Sequence, residues 1–511
     1  MPKVILAGYN LDSDIIRSFD EMLRIIHQPD FFNNLNSGDQ SYLEKLKKYI
    51  AHSPQSNMLT PETISAAYAR ISRYPEAVPA LRKAAREEVD KARKSNENII
   101  FGLGHSSVAE HATFNFDVLE LSRLGVEFLE RFRLASFTEK SQRYITLDGD
   151  YVIPEEIKGT ELESLFVETV QQQNEAYFTL LRKLTDYLKV KHADLWKTRQ
   201  GQRTVEGWAK EDARYAISLS IQSQLGMTVN ARTLEHMISR ARSHPLMEIQ
   251  KLGELLYHSV HNLAPSIVKY PEPTPYFEQL ERLYSGLSFQ SDNQHVQQHE
   301  DIVWLNADQF TETDVYRYFQ FVLGYDPSYT DIKASRKAIL QLLSSSNAWD
   351  AVPRPFEFVY FDFIITLSSA AFGQLKRHRM TTQITQPYQP DLGITIPPSI
   401  KEIGAVDILE NVCSQSEETF NKIKKQYPLA APYILTNAHR RRVLLRMNLR
   451  ELYHFCRLRS DKHAQWDIRN ISSQIASMIR NKFPELGLLL VGKDKFNEAK
   501  KTFTEGDLFH E

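Results

Sequence analysis

Apolar residues recur at helical spacing along most of the chain. The clearest amphipathic runs are 161–190, 246–263 and 445–458, and each predicts a helix with one face turned to a core. A further helix is expected over 120–130. Two stretches alternate instead. In 112–118, Phe114, Phe116 and Val118 share one face, the period of a half-buried strand. In 356–363 apolar residues fall on both faces, which predicts a more buried strand. The opening apolar run, Val4 to Ala7, is too short for a signal peptide and reads as a third, short strand. The polar stretch 285–300 is the best linker candidate.

The two alternating stretches sit in matching contexts. Each leads into a helical segment ending in Arg-x-Arg, at Arg131-Phe132-Arg133 and at Arg377-His378-Arg379. Each is followed later by Asn-x-Arg-x-Leu-x-His, from Asn230 to His236 and from Asn448 to His454. The first pair of motifs is offset by 246 residues and the second by 218, so the first half carries 28 extra residues between its motifs. Paired motifs in one order point to an internal duplication. The expected domains are 1–285, with an N-terminal extension over 1–60, and 286–511.

Composition then narrows the function classes. Of 511 residues, 42% are hydrophobic and 25% charged, an ordinary globular balance. Lys and Arg number 62 against 64 Asp and Glu, which disfavours nucleic acid or an anionic membrane as the general partner. Two cysteines, Cys413 and Cys456, exclude a disulfide scaffold. Cys456 lies in a helical pattern beside Phe455 and Leu458 and reads as core. The most apolar stretch, 356–372, contains Glu357 and Asp362 and falls short of the ~20 residues a membrane span needs. A soluble, cytoplasmic protein is the default expectation.

The segment after the first Arg-x-Arg reads as a polar loop that gathers Ser136, Glu139, Ser141 and Arg143 within a few residues. Forked guanidinium donors and hydroxyls suit an anionic ligand such as phosphate. A salt-bridged helix end is the competing reading, since Arg is also favoured at the negative end of a helix dipole. His105, Glu110 and His111 invite a metal reading. Their spacing does not place two histidines one helical turn apart, so capping and hydrogen bonding are preferred and no metal is expected. The basic run 439–442 reads as a solvated helix face.

Taken together, these motifs resemble the flavin-dependent thymidylate synthases. That family carries Arg-His-Arg-x7-Ser and an upstream Glu-His segment entering a strand. It also carries Asn-Ala-Arg-x-Leu-x-x-Phe-x-x-Leu-Arg, followed by Ala-Gln-Trp-Glu-Ile. The first half offers Arg131, Arg133 and Ser141, with Glu139, Arg143 and Tyr144 also matching. The second offers Gln374, Arg377-His378-Arg379, Asn448 through Arg459, and Ala464-Gln465-Trp466-Asp467-Ile468. The resemblance implies an α+β fold of two homologous modules, each a β-sheet with surrounding helices.

In that family one subunit gives the Glu-x-Ser-x-Arg loop and a further Arg to the nucleotide, while a neighbour gives Gln-x-x-Arg and the Arg of Leu-Arg. The first half keeps Glu139, Ser141, Arg143 and Arg214. It has Phe128 for the Gln and Phe132 for the central His, and its last arginine, Arg240, arrives one residue early. The second half keeps Gln374, Arg377, His378, Arg379 and Arg459. It has Thr385, Pro387 and Gln389 in place of the loop, and Pro432 for the further Arg. The losses are complementary, so one composite site survives.

The resemblance implies reductive methylation of dUMP to dTMP, with FAD, NADPH and methylenetetrahydrofolate and without a cysteine nucleophile. Glu139, Ser141, Arg143 and Arg214 would bind dUMP from the first half, and Gln374, Arg377 and Arg459 from the second. Arg459, Arg377 and Ser141 stand nearest the chemistry. FAD falls to His105, Ser107, Arg377, His378, Arg379, Asn448, Arg450 and His454. A homodimer mimicking the family tetramer is implied as well. The alternative is a catalytically inactive flavin- or nucleotide-binding relative.

Overall fold

The alternating stretch around Phe114 is strand β2 (Thr113–Ser122), one of four in an antiparallel sheet with β1 (Lys3–Tyr9), β3 (Ala135–Glu139) and β4 (Gln222–Asn230). The computed structural model describes residues 1–26, 36–41, 43–44, 59–71, 73–143, 149–285, 301–326 and 328–505. Strand order is β1-β2-β4-β3. Phe114, Phe116 and Val118 face the core, joined from β4 by Leu225, Met227 and Val229. Phe116 pairs with Met227, which puts the two apolar faces in register.

Strand β2 runs farther than the sequence pattern predicts. A register shift between Val118 and Leu121, with Glu120 at φ 56°, carries the strand to Ser122. The helix therefore starts at Arg123, not at residue 120. Ser122 caps it, its Oγ accepting from the Gly125 N–H at 2.9 Å. The expected polar loop after Arg131 is in part strand β3.

A second sheet holds β5 (Ile302–Trp304), β6 (Tyr360–Ser368), β7 (Thr382–Thr385) and β8 (Arg440–Asn448), in the order β5-β6-β8-β7. Its topology repeats the first sheet strand for strand. β6 buries Phe361, Phe363, Ile365 and Leu367, while Tyr360, Asp362, Ile364 and Thr366 are half-buried. Its second face is thus not core, and Asp362 there pairs with Arg446 of β8 at 2.6 Å. The amphipathic run 445–458 divides in two. It is strand through Asn448 and helix over Leu449–Arg459. Asn448 makes the change of period, its Oδ1 accepting from the Glu451 N–H at 2.8 Å. The basic run 439–442 is not a solvated helix face: it opens β8, and His439 is fully buried.

The compact units do not follow the expected domains. Met1–Lys140 and Gln222–Arg282 form one unit, and Ser141–Ile221 and Leu283–Glu511 the other. The first unit holds sheet β1-β2-β4-β3, and the second holds β5-β6-β8-β7. Packing explains why 141–221 joins the second unit. Its long helix, Glu161–Lys191, presents Tyr177, Leu180 and Leu184 to a core shared with Leu409, Val412 and Cys413. Thr169 bonds Thr419 at 2.8 Å, and Gln173 Nε2 donates to Ser416 Oγ at 2.8 Å and to the Ile434 carbonyl at 2.6 Å. The chain beyond pairs backbone to backbone, Leu219 N–H to the Leu435 carbonyl and Asn437 N–H to the Ile217 carbonyl. The expected linker, from residue 286 to 300, lies outside the described residues. Among the described residues no helix is long and apolar enough to cross a membrane.

Candidate active site

Arg459 ends the Leu449–Arg459 helix, and its guanidinium is held on two sides. Nη1 donates to Gln374 Oε1 at 2.9 Å, and Nε donates to His378 Nε2 at 2.9 Å. Gln374 stands on the short helix Ser369–Leu375 that follows β6, capped by Ser368. His378 is buried, and its other nitrogen, Nδ1, lies 2.9 Å from Glu451 Oε1. Arg377 and Arg379 flank it and are exposed. Burial, and then the charges of Arg377 and Arg143, push Arg459 down to about 10. Three guanidinium groups therefore share one neighbourhood in the second unit. Such a cluster favours an anion that relieves its repulsion.

Arg143 reaches this cluster from the first half's loop. Its N–H donates to Ser141 Oγ at 3.2 Å, and its Nη2 donates to the His463 carbonyl at 3.1 Å. Its Nε donates to the Glu211 carboxylate. Arg214 is buried, with Nε on the Glu211 carbonyl at 3.1 Å. Asn437 Nδ2 donates to the Arg214 carbonyl at 3.0 Å and to Gln142 Oε1 at 3.3 Å. Tyr215 donates to Asp467 Oδ2 at 3.0 Å and accepts from Gln465 Nε2 at 2.8 Å. Ser368 Oγ also donates to Asp467, at 2.5 Å. The Gln465-Trp466-Asp467 motif is thus fastened to Ala213-Arg214-Tyr215. The sequence motifs gave Tyr215, Asn437, Asp467 and Glu451 no role.

Beside this network Asp212 accepts from Trp466 Nε1 at 2.7 Å and Ser399 Oγ at 2.5 Å. Burial raises it from its ordinary 3.8 to about 6, against those hydrogen bonds. A raised acid favours the folded state in its protonated form. The linked stability is fully present below about pH 4 and is lost as the pH rises through about 6, up to ~3 kcal/mol in all. Asp212→Asn is expected to remove that loss, checked by urea midpoints at about pH 4 and about pH 8. Equal pH dependence in variant and wild type would refute it.

The family described as thymidylate synthase complementing protein matches the chain twice, over residues 55–266 and 304–485. The chain belongs to this family. A flavin-dependent thymidylate synthase of Clostridium tetani is 32% identical over 219 residues, 42% of this chain and 83% of that protein. A UPF0159 protein of Thermoplasma acidophilum is 23% identical over 466 residues, 82% of this chain and 93% of that one. That alignment spans most of both chains. A solved UMP/dUMP methylase of Streptomyces cacaoi, bound with 5-Br dUMP, aligns at TM-score 0.31 and 22% identity, over 41% of this chain and 89% of that one.

The family's motif residues are not all placed as the sequence suggests. Asn448 spends its side-chain oxygen on capping its helix, and Arg450 pairs with Glu357 at 2.6 Å. Both ring nitrogens of His378 are engaged within the protein, so its hydrogen-bonding capacity is not directed at a cofactor. His454 is exposed, its ring 5.7 Å from that of His378. His378, Glu451 and His454 bring three ligand-type atoms within 4.8 Å of one another. His378 and Glu451 are joined there by a hydrogen bond, and Glu451 and His454 stand one turn apart on the Leu449–Arg459 helix. Glu139, His105 and Ser107 belong to the first unit. Glu139 accepts from Ser223 Oγ at 3.4 Å and from the buried Arg123 at 3.5 Å, while His105 and Ser107 are exposed. Tyr144 lies outside the described residues.

The first unit's own family arginines have a different fate. Arg131 Nη2 donates to Glu281 Oε1 at 2.5 Å, and Arg240 Nε donates to the same oxygen. His244 Nε2 lies 3.9 Å from the other oxygen. Glu281 is 1% exposed, on the helix Pro275–Tyr284. Burial opposes its charge, but Arg131 and Arg240 prevail and hold its carboxyl below the ordinary range. Burial pushes His244 down to about 3, so it stays neutral. Phe128 lies 4.1 Å from the Arg131 guanidinium. One carboxylate of the same unit thus serves as counter-charge to both arginines.

Proposed function

We propose that this tandem family member is a flavin-dependent thymidylate synthase with one composite site per chain. It would convert dUMP to dTMP, with methylenetetrahydrofolate as carbon source and NADPH as reductant. The observation that carries this reading is the gathering of Arg143, Arg377 and Arg459. One comes from the half that kept the loop and two from the half that kept the Arg-His-Arg helix. Arg143 and Arg377 would hold the phosphate. Arg459, half-buried against neutral Gln374 and His378, would stabilise charge developing on the uracil ring. Ser141 and Arg214 would shape the loop around the sugar and phosphate.

The residues present fit FAD. Exposed Arg377 and Arg379 suit its pyrophosphate, and exposed His454 offers a flat ring edge. Bound there, FAD would supply hydride and one-carbon transfer. Cys413 and Cys456 are buried, and burial pushes both thiols up to about 12, so neither is a thiolate nucleophile. The roles of Glu139 beside dUMP, and of His105 and Ser107 beside FAD, rest on motif alone. So do the homodimer and the cytoplasmic location.

The deciding experiment is a flavin spectrum of the purified chain with and without dUMP, followed by a dTMP-formation assay. About one FAD per chain, perturbed by dUMP, with dTMP formed, is the expected result. A chain that keeps no flavin and forms no dTMP would overturn the reading. A second reading is a nucleotide-binding relative without turnover. The carboxylate of Glu211 on Arg143 favours it, because dUMP must compete with that charge. It expects dUMP binding with no dTMP.

The two halves also make unequal demands on their arginines. Arg131→Ala is expected to leave dTMP formation within ~3-fold of wild type, since Arg131 is committed to Glu281. Arg377→Ala is expected to lower it at least ~10-fold, on the scale of one charged hydrogen bond. The reverse order in a kcat/KM comparison would mean the halves are assigned the wrong way round.

A further inference from the structure

We propose that Glu451 is a positioning residue that fixes the orientation of Arg459 through His378. The inference rests on Arg459 belonging to the nucleotide site. Its geometry follows from what each group is able to do. An arginine Nε–H donates and cannot accept. The His378 nitrogen facing it, Nε2, must therefore carry no proton. A neutral imidazole then bears its proton on Nδ1, and that proton points to Glu451 Oε1 at 2.9 Å. His378 is 4% exposed and Glu451 7%, so solvent offers neither group an easy replacement partner. The chain of bonds thus runs from carboxylate to imidazole to guanidinium, and from there to Gln374.

Glu451 and Arg459 stand on one helix, eight residues apart. That is ~12 Å along the axis, too far for direct contact. His378, from the loop after Ser369–Leu375, closes the gap. The first module supplies an internal control. There Asn230 caps the helix Ala231–Arg242, its Oδ1 accepting from the Thr233 N–H at 2.8 Å, and Thr233 stands where a glutamate would be. Phe132 stands where His378 would be, and Arg240 comes one residue early. All three members differ together, and there the arginine rests on Glu281. Where the histidine and glutamate are absent, the arginine is shifted by one residue and turned to a different carboxylate.

The test uses the full-length chain with ¹⁵N-labelled histidine. The ring of His378 should show the Nδ1–H tautomer in wild type, a readout independent of activity. Glu451→Gln should retain it, because the amide oxygen still accepts, and Glu451→Ala should lose it. In steady state, Glu451→Ala should lower kcat ~10–100-fold with the dUMP KM within ~3-fold, and Glu451→Gln should recover most of that loss. A merely structural role would lower Tm while leaving the tautomer and the kcat of folded enzyme unchanged. An Nε2–H tautomer in wild type, or a folded Glu451→Ala with wild-type kcat, would overturn the proposal. A wild-type chain that forms no dTMP would sink the proposed reaction instead, and the tautomer would still decide the relay.

Discussion

Arg459→Ala is expected to lower kcat for dTMP formation by ~10²–10³, the loss seen when one preorganised donor to developing charge is removed. The dUMP affinity should fall much less, because Arg143 and Arg377 remain to hold the phosphate. Arg143→Ala should show the opposite split, weakening dUMP binding by ~1.5–3 kcal/mol. Arg143→Lys should recover only part of that, since an ammonium keeps the charge but not the fork that serves Glu211 and the His463 carbonyl together. Gln389→Ala, at the matching position of the second half, should leave binding unchanged. Steady-state kinetics and equilibrium dUMP titration separate the two effects. An Arg459→Ala enzyme within tenfold of wild type would remove Arg459 from the chemistry. Equal losses at Arg143 and Gln389 would remove the composite site.

Arg143, Arg377 and Arg459 were legible because ordered motifs carry them, and their order survives duplication. Their partners were not. Glu451 occupies the first turn of a helix, where an acid is unremarkable for dipole reasons alone. Nothing local marks it as facing a histidine that comes 73 residues earlier in the chain. Glu281 sits in an ordinary amphipathic helix with no motif at all. Asn448 is read from its motif as a flavin ligand, while its position between strand and helix makes it a cap.

The fold shows the same division. Alternation found β2, whose outer face is polar. It overstated the burial of β6, because Tyr360 and Ile364 are apolar on a face that is not core. The repeat was visible, and the two sheets share one topology. The compact units were not visible. Which core receives Tyr177, Leu180 and Leu184 depends on the shape of a distant partner surface, and no local pattern encodes that.

Glu281→Ala is expected to cost about 3 kcal/mol of stability, since it strips the shared counter-charge from two arginines at once. Arg240 is 12% exposed and cannot recover full hydration where it stands, whereas Arg131, at 33%, partly can. The loss should therefore lie near the lower end of the range for broken buried pairs. Glu281→Gln should cost less, because the amide oxygen still accepts from both guanidinium groups while losing the charge. Adding Arg240→Met to Glu281→Ala should return much of the stability, the mark of a coupled pair. The dTMP-forming activity of the folded Glu281→Ala chain should stay within ~2-fold of wild type, because the proposed composite site draws on neither Glu281 nor its two arginines. Urea unfolding gives the first quantity and kcat well below the melting temperature gives the second. A stability loss without recovery in the double variant would mean Glu281 acts through packing and not through charge. A matching collapse in kcat would mean the first module's arginines still serve the reaction.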